Sequence, residues 1–382
     1  MTFQFNDQQQ RDLLSRGFSR RSFGRIAAFL AAGSVLPLSA EAVLAQLSAL
    51  PGGVPLDAVK LDANENPMGP CPEALEAALA MARNGGRYMY GETDSFVECM
   101  ARCESLKKDY VTPYPGSSTP LHHAVLAFAS PDNPLVVADP GYEAAGVAAA
   151  AIGAKVIRVP LTTAYAHDVR AMAAASPNTG IFYICSPNNP TGTLTPREDI
   201  LWLLANKPQG SVVLLDEAYI HIADAPMCSD LVAQDKDLII LRTFSKLYGM
   251  AGLRAGAALA RPDLLKRIGQ YQAGPLPAPA MAAATASLKS TNLVPQRRKI
   301  IAEIREDCLR FLKGHKFDFV PSVSNKFMID VKRPATQVVE ALRREKVYIG
   351  RVWPIWPTFC RVTVGTQEEM QKFTAAFLKV MA

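Results

Sequence analysis

The chain has 382 residues, of which 49% are hydrophobic, 20% charged and 8% aromatic. This ordinary globular balance excludes a disordered, collagen-like or small disulfide-stapled protein, and the length favours about two domains. The formal charge of +6 is too weak and dispersed for a nucleic-acid surface, so no nucleic-acid partner is expected. The seven cysteines include no CxxC pair and no zinc-like spacing with histidine, which predicts no metal site.

A pair of arginines and an apolar run mark the amino terminus. Arg20 and Arg21 precede Phe23 and a weakly apolar run over 26–40, with small-residue cleavage candidates between positions 40 and 45. This order resembles a twin-arginine signal peptide, which directs folded proteins to an export machinery in the bacterial inner membrane. Residues 1–45 are therefore predicted to be such a signal. The alternative is an ordinary alanine-rich amphipathic helix.

Location follows from that prediction. A used signal places the protein in the periplasm or outside the cell, and an unused one leaves it in the cytoplasm. The apolar run is interrupted by Gly33, Ser34 and Pro37 and is shorter than the roughly 20 residues of a spanning helix, so no stable membrane anchor is expected.

From Leu56 onward, short apolar strands alternate with alanine-rich helices, which indicates an α/β fold with a mostly parallel sheet. The predicted strands cover 135–138, 155–159, 180–184, 212–215 and 238–242. After the proline-rich stretch 274–279, the pattern predicts a helix over 294–313, a strand over 326–331, a helix over 336–345, a strand over 361–364 and a final helix. We expect a large domain over 86–280 and a smaller α+β domain over 281–382, with residues 46–85 packed against the small domain.

Polar motifs follow three of these strands, at the sheet edge where ligands collect in such folds. The motifs are SPNNPTG with Asn189, DEAY with Asp216 and Tyr219, and TFSKLYGMAGLR with Ser245, Lys246 and Arg254. An amide, a carboxylate, a phenol, an amine and a guanidinium thus converge on one edge. That set suits a pyridine ring that carries an aldehyde, a phenolate and a phosphate, because each substituent finds a matching group.

These motifs, together with LDANENPMGP near Leu61 and RVTVGT at Arg361, closely resemble the fold-type-I pyridoxal-phosphate aminotransferases. Within them the chain is most similar to the histidinol-phosphate aminotransferase group, over about residues 56–382. The resemblance implies pyridoxal 5′-phosphate as cofactor, an amino acid or a histidinol phosphate-like amine and a 2-oxo acid as substrates, and a homodimer with shared active sites.

The resemblance also implies roles for individual residues. Lys246 forms the Schiff base and moves the proton, while Asp216 faces the pyridine nitrogen. Asn189 and Tyr219 donate hydrogen bonds to the ring oxygen. The remaining cofactor contacts that it implies are Tyr142 stacked on the ring, and Gly116, Ser117, Ser118, Ser245, Arg254 and the neighbouring subunit's counterpart of Tyr88 around the phosphate. Tyr90 is an alternative to Tyr88, because Met89-Tyr90 replaces the family's usual Pro-Asp.

Substrate recognition is expected in the C-terminal part. By resemblance, Arg361 grips the substrate carboxylate and Arg351 lies near the far end of the substrate, while Asn64 orders the segment that closes over the site. Two arginines suit a dianionic substrate, whereas Trp353 and Trp356 favour an aromatic or aliphatic side chain. Arg351 could also be structural. The neighbours Tyr183, Glu217 and His221 are expected to serve packing or to lie on the surface.

The predicted reaction is a ping-pong transamination. The alternatives are a decarboxylase, lyase or cyclase of the same fold, and a non-catalytic ligand-binding homologue, against which the intact Lys246, Asp216 and Arg361 argue. Histidinol phosphate stays open as the substrate, because the region before Leu61 lacks the tyrosine and arginine expected to hold a substrate phosphate.

Overall fold

The computed structural model describes residues 5–32, 54–55, 57–271 and 274–382. Its helices are α1 (Asp7–Ser15), α2 (Arg20–Ala32), α3 (Pro72–Ala82), α4 (Gly91–Cys103), α5 (Ser118–Phe128), α6 (Ala144–Ile152), α7 (Val169–Ala174), α8 (Arg197–Asn206), α9 (Ser229–Ala233), α10 (Pro262–Gly269), α11 (Ala278–Lys289), α12 (Leu293–Gly314), α13 (Ala335–Arg344) and α14 (Gln367–Met381). Its strands are β1 (Val59–Leu61), β2 (Val111–Tyr114), β3 (Leu135–Asp139), β4 (Val156–Pro160), β5 (Ile181–Cys185), β6 (Val212–Asp216), β7 (Leu238–Thr243), β8 (Gly256–Leu259), β9 (Asp318–Val320), β10 (Lys326–Asp330), β11 (Val347–Ile349) and β12 (Phe359–Thr363).

The large domain is built on a seven-stranded sheet in the order β2-β8-β7-β6-β5-β3-β4. Strand β8 runs antiparallel to both of its neighbours, and the other pairs are parallel. Every residue of β5, β6 and β7 is buried, which is the pattern of strands covered on both faces. The predicted mostly parallel α/β sheet is confirmed, and each of the five predicted strands lies within one residue of an observed one.

The small domain carries an antiparallel sheet in the order β12-β10-β9 and the helices α12, α13 and α14. Helix α14 begins with a capping box, in which Thr366 and Glu369 satisfy each other's backbone N–H groups. The predicted α+β elements are observed with shifts of at most two residues at their ends.

Two features refine the expected domain organisation. The expected boundary between residues 280 and 281 lies inside α11, which packs against α3 and α4. The proline-rich stretch therefore precedes a helix of the large domain instead of separating the domains. In the segment before residue 86, β1 pairs with β11 of the small domain, whereas α3 packs against α11.

The amino-terminal helices α1 and α2 dock on the large domain. Leu13, Phe18 and Ile26 are buried, and α2 packs against α6. The Arg16 guanidinium donates to the carbonyls of Leu126 and Ala129, at 2.7 and 2.8 Å, where α5 ends. A cation is favoured there because the last carbonyls of a helix lack intrahelical partners.

The arginine pair of the predicted signal lies at the start of α2, and both side chains are exposed. The expected cleavage positions between 40 and 45 lie outside the described residues. No helix within the described part of the chain is long and apolar enough to span a membrane.

Candidate active site

The carboxyl ends of β5, β6 and β7 form one end of a cavity of about 300 Å³. Its volume is at the lower end of small-molecule sites. The structure brings eight predicted residues to its wall: Ser117, Tyr142, Asn189, Asp216, Tyr219, Ser245, Lys246 and Arg254. Glu65 and Cys185 also line the cavity, although the sequence motifs gave no reason to select them.

The Asp216 carboxylate is buried at the end of β6 and is held in place by two hydrogen bonds. Tyr183 donates its hydroxyl to Oδ2 at 2.8 Å, and the backbone N–H of Ala218 donates to Oδ1 at 3.1 Å. Burial and the nearby Asp216 charge raise the pKa of Tyr183 well above its usual value, which keeps the phenol a donor. Tyr183, which the sequence assigned to packing, therefore positions the carboxylate that the site needs.

Lys246 follows β7 and extends its amine into the same cavity. The side chain is largely buried, and Nζ donates to the carbonyl oxygen of Ala63 at 3.2 Å. The next residue, Asn64, is fully buried with a φ of 53° and donates its side-chain amide to the Tyr219 hydroxyl at 3.0 Å. Ala63 and Glu65, the neighbours of Asn64, line the cavity, and the ordering role of Asn64 stays a prediction.

An anion cradle forms where α5 begins. Gly116 has a φ of 91°, which favours glycine, and a Cβ at this position would lie 2.4 Å from Nη2 of Arg254 and displace the guanidinium. Arg254 donates from Nη1 to Ser245 Oγ at 3.2 Å and from Nη2 to the carbonyl of Pro115 at 3.2 Å. A guanidinium, a hydroxyl and the first N–H groups of a helix together suit a phosphate.

Arg361 enters the site from the small domain. It is fully buried in β12 and donates from Nη1 to Oδ1 of Asn189 at 2.8 Å and from Nη2 to the carbonyl of Asp62. Its guanidinium carbon lies 5.7 Å from the centre of the Trp353 ring. The arginine is therefore held rigidly beside the amide that the sequence assigns to the cofactor ring.

Arg351 lies next to this group. Its Nη2 forms an ion pair with Oε2 of Glu143 at 2.9 Å, and its guanidinium carbon lies 4.6 Å from the Trp353 ring centre. The Nε and Nη1 atoms are buried without a hydrogen-bond partner among the described residues. Burial raises the pKa of Glu143, and the charges of Arg351 and Arg361 act against this increase. Glu143 is a site neighbour that sequence reasoning missed, although it directly follows Tyr142.

Three predicted cofactor residues, Gly116, Ser118 and Tyr88, are not among the residues that line the cavity. Gly116 and Ser118 flank Ser117 at the start of α5. Tyr88 is 67% exposed and stacks on Tyr90, with 5.6 Å between ring centres, away from its own chain's cavity wall. Its position is compatible with the expectation that it serves another subunit, and that role stays a prediction.

Behind the cavity, Arg242 forms a buried ion network with two carboxylates. It donates from Nε and Nη2 to both oxygens of Glu104 and from Nη1 to Glu217. Burial alone would raise the pKa of Glu104, but the Arg242 charge outweighs it and brings the pKa to about 2. Glu217 thus has a structural role, as expected, because its carboxylate points to Arg242. His221 is buried too, and burial lowers its pKa to about 4.

The donor set fits pyridoxal 5′-phosphate. The buried amine of Lys246, the carboxylate of Asp216 and the phenol of Tyr219 share one cavity with the anion cradle at Arg254. Each matches one group of the cofactor, and the glycine at 116 allows the Arg254 guanidinium to approach the start of α5 closely.

Residues 57–377 match the family model of aminotransferase class I and II. The chain belongs to this family. It is similar to the histidinol-phosphate aminotransferase of Moorella thermoacetica, with 31% identity over 85% of this chain and 86% of that protein. It is likewise 35% identical to histidinol-phosphate aminotransferase 2 of Pseudomonas aeruginosa, over 86% of this chain and 90% of that protein.

A solved structure has the same fold. The crystal structure of histidinol-phosphate aminotransferase from Sinorhizobium meliloti, in complex with pyridoxal-5′-phosphate, superposes with a TM-score of 0.81 at 24% identity, over 91% of this chain and 96% of that one. The aminotransferase has the fold-type-I architecture, uses pyridoxal 5′-phosphate and transfers amino groups between amino and 2-oxo acids. These findings favour transamination over the decarboxylase, lyase, cyclase and non-catalytic alternatives.

Proposed function

We propose that this aminotransferase transfers the amino group of histidinol phosphate to a 2-oxo acid. The relatives at 31% and 35% identity carry that name. The observation that carries the proposal is the pair of arginines that share one aromatic neighbour, Arg361 and Arg351, whose guanidinium carbons lie 5.7 and 4.6 Å from the Trp353 ring centre, with Arg361 bonded to the cavity residue Asn189. Two guanidinium groups beside one aromatic ring suit a substrate that combines a dianionic phosphate with a planar ring.

The described side chains have separate roles in the reaction. When bound, the cofactor provides an electron sink for the electrons left as the substrate α-carbon loses its proton. The Lys246 amine is placed to take that proton at Nζ and return it. Asp216, fixed by Tyr183, would keep a proton at the pyridine nitrogen of the bound cofactor, and the Arg254 cradle would hold its phosphate. The Asn64 amide donates to the Tyr219 hydroxyl and orients it.

Kinetics of an Arg351 variant test the substrate. For Arg351→Ala we expect kcat/KM for histidinol phosphate to fall by about 30-fold or more, the equivalent of about 2 kcal/mol for a desolvated charge pair. The value for phenylalanine should stay within about threefold. Arg344→Ala removes an exposed arginine seven positions earlier in the sequence and serves as the matched control. Equal loss for both substrates would mean that Arg351 is structural and would remove the observation that carries the proposal.

A second candidate is an aminotransferase for aromatic or aliphatic amino acids. It is favoured by the ion pair between Arg351 and Glu143, which neutralises part of the charge that a phosphate would use. In this case Trp353 contacts an apolar side chain. Wild-type enzyme with higher kcat/KM for phenylalanine than for histidinol phosphate would support this candidate.

We also propose a homodimer with shared sites. Tyr88 and Tyr90 are 67% and 64% exposed, and Leu75 and Leu79 of the preceding helix α3 are exposed as well. Exposed apolar groups on consecutive elements are typical of a surface that another chain covers. A tyrosine from this surface would complete the phosphate site of the partner, as the family resemblance implies.

Export by the twin-arginine route is the third part of the proposal. It is supported by the exposed Arg20 and Arg21 at the start of α2, which a translocase can reach while the rest of the chain is folded. Docking through Leu13, Phe18 and Ile26 is compatible with a route that carries folded proteins. Processing between residues 40 and 45 would then remove this docked segment.

A further inference from the structure

A second lysine reaches the active site from the small domain. Lys326 is the first residue of β10 and pairs with Thr363 of β12. Its side chain is fully buried, and Nζ donates to Ser324 Oγ at 2.9 Å. The same Nζ lies 3.0 Å from the centre of the Tyr219 ring. No sequence motif singled out this residue.

Tyr219 connects Lys326 to the cavity. The Tyr219 ring lines the cavity wall, and Nζ of Lys246 lies 5.7 Å from the same ring centre. A cation on the face of a buried aromatic ring is attracted to the ring, and solvent does not screen its charge. Lys326 therefore brings a second amine to the phenol that faces the cofactor.

The charged surroundings of Lys326 are defined by three elements. Cys185 at the end of β5 is buried, and burial together with the Asp216 charge raises the pKa of its thiol, while Lys326 acts against this increase. Asp216 at the end of β6 supplies the carboxylate of the cavity, and Lys246 after β7 supplies the other amine. Tyr219 and Tyr183 are the phenols of this group. The charge of Lys326 thus acts in the same space as the groups that hold the cofactor.

We propose that Lys326 is a positioning residue that places a positive charge against the Tyr219 ring. This charge strengthens the Tyr219 hydroxyl as a hydrogen-bond donor to the cofactor. It also lowers the proton affinity of the Lys246 nitrogen when that nitrogen is bound to the cofactor. The proposal rests on the cofactor and on the Tyr219 contact, and it is independent of the substrate. Since Lys326 lies on the small-domain sheet and Tyr219 follows β6, the contact also ties the two domains together at the cofactor.

A pH titration of the bound cofactor's absorbance tests this role without any substrate. In Lys326→Met, the midpoint should move to higher pH, which corresponds to an increase of about tenfold in proton affinity when a nearby positive charge is lost. Lys326→Gln keeps a hydrogen-bond donor for Ser324 but no charge, and it should give the same shift. Histidinol phosphate turnover plays no part in this readout, so failure of the substrate proposal leaves the result unaffected.

Lys207→Met is the matched control. Lys207 is also a buried lysine, with its side chain 5% exposed, but its Nζ contacts Ser211 and Asp237, next to the starts of β6 and β7. The control midpoint should equal that of the wild type. An unchanged midpoint in both Lys326 variants, or the same shift in Lys207→Met, would overturn the proposal. The proposal would also be overturned if the Lys326 variants fold, as judged by a thermal melting transition like that of the wild type, but no longer bind the cofactor. Lys326 would then be structural.

Discussion

Arg361 donates a hydrogen bond from Nη1 to Oδ1 of Asn189 at 2.8 Å, across the boundary between the small and the large domain. The arginine assigned to the substrate carboxylate is thereby fixed by the amide assigned to the cofactor ring. This hydrogen bond fixes the position of the residue assigned to the substrate relative to the residue assigned to the cofactor. Changes at either residue should therefore affect both substrate affinity and the orientation of the cofactor.

Replacement of Arg361 tests its role directly. We expect Arg361→Ala to reduce kcat/KM for every amino donor by about 30- to 5,000-fold, since losing one member of a desolvated charge pair costs about 2 to 5 kcal/mol. Initial rates with histidinol phosphate and phenylalanine measure this. Arg344→Ala serves again as control. A loss confined to one substrate would contradict a common role of Arg361 at the anionic group beside the reacting amine, which is the carboxylate in phenylalanine and the phosphate in histidinol phosphate.

Mixed dimers test the shared sites. Lys246→Ala and Tyr88→Ala homodimers should each have low activity, whereas subunits mixed and reassembled should recover about one quarter of wild-type activity, because each hybrid dimer has one intact site. The same mixture with Tyr90→Ala identifies which tyrosine reaches the partner. Activity no higher than that of the separate variants in both mixtures would contradict sharing through this segment.

The sequence predicts the site residues best where a reactive polar residue directly follows a strand with a clear apolar pattern. Lys246, Asp216 and Asn189 were predictable because each polar residue follows a continuous apolar strand, and such strands end at one sheet edge. Glu143 and Lys326 could not be predicted in this way. Glu143 contacts Arg351, 208 positions away, and Lys326 contacts Tyr219, 107 positions away, so both contacts depend on how the domains pack. Docking of α1 and α2 was missed as well, since Arg16 bonds to carbonyls that no local pattern marks.

Buried histidines predict a fall in stability at acid pH. Burial and, to a lesser extent, the His122 charge lower the pKa of His123 from 6.5 to about 3 in the folded protein. As the pH falls, the unfolded chain therefore binds a proton at this histidine before the folded chain does. The stability that this neutral ring contributes is present above pH 6.5 and is lost as pH falls toward 3. At pH 5 the loss amounts to about 2 kcal/mol in the free energy of unfolding.

His123→Phe should remove this part of the pH dependence and keep the ring contacts with Tyr114 and Tyr271. Urea unfolding at pH 7 and pH 5 measures it, and the difference between the two pH values should shrink by about 2 kcal/mol. His315→Phe, at an exposed position, is the control. An unchanged difference in His123→Phe would show that another group dominates the acid response.

Export can be tested in the cell. With both Arg20 and Arg21 replaced by lysine, we expect the full-length protein to stay in the cytoplasm, while Arg25→Lys is exported and processed like the wild type. Cell fractionation followed by mass determination of the amino terminus reads out both steps. An unmutated protein that remains cytoplasmic and keeps residues 5–32 would instead assign α1 and α2 to the mature fold.

The most direct test of the account is the absorbance of the bound cofactor during one half-reaction. When histidinol phosphate is added to the wild-type enzyme, the band of the lysine-linked cofactor should disappear, and a 2-oxo acid should restore it. Borohydride should fix the cofactor covalently on Lys246 in the wild type and leave no adduct in Lys246→Ala. A spectrum that phenylalanine changes but histidinol phosphate does not would contradict the proposed substrate, and a covalent adduct in Lys246→Ala would contradict the assignment of the site itself.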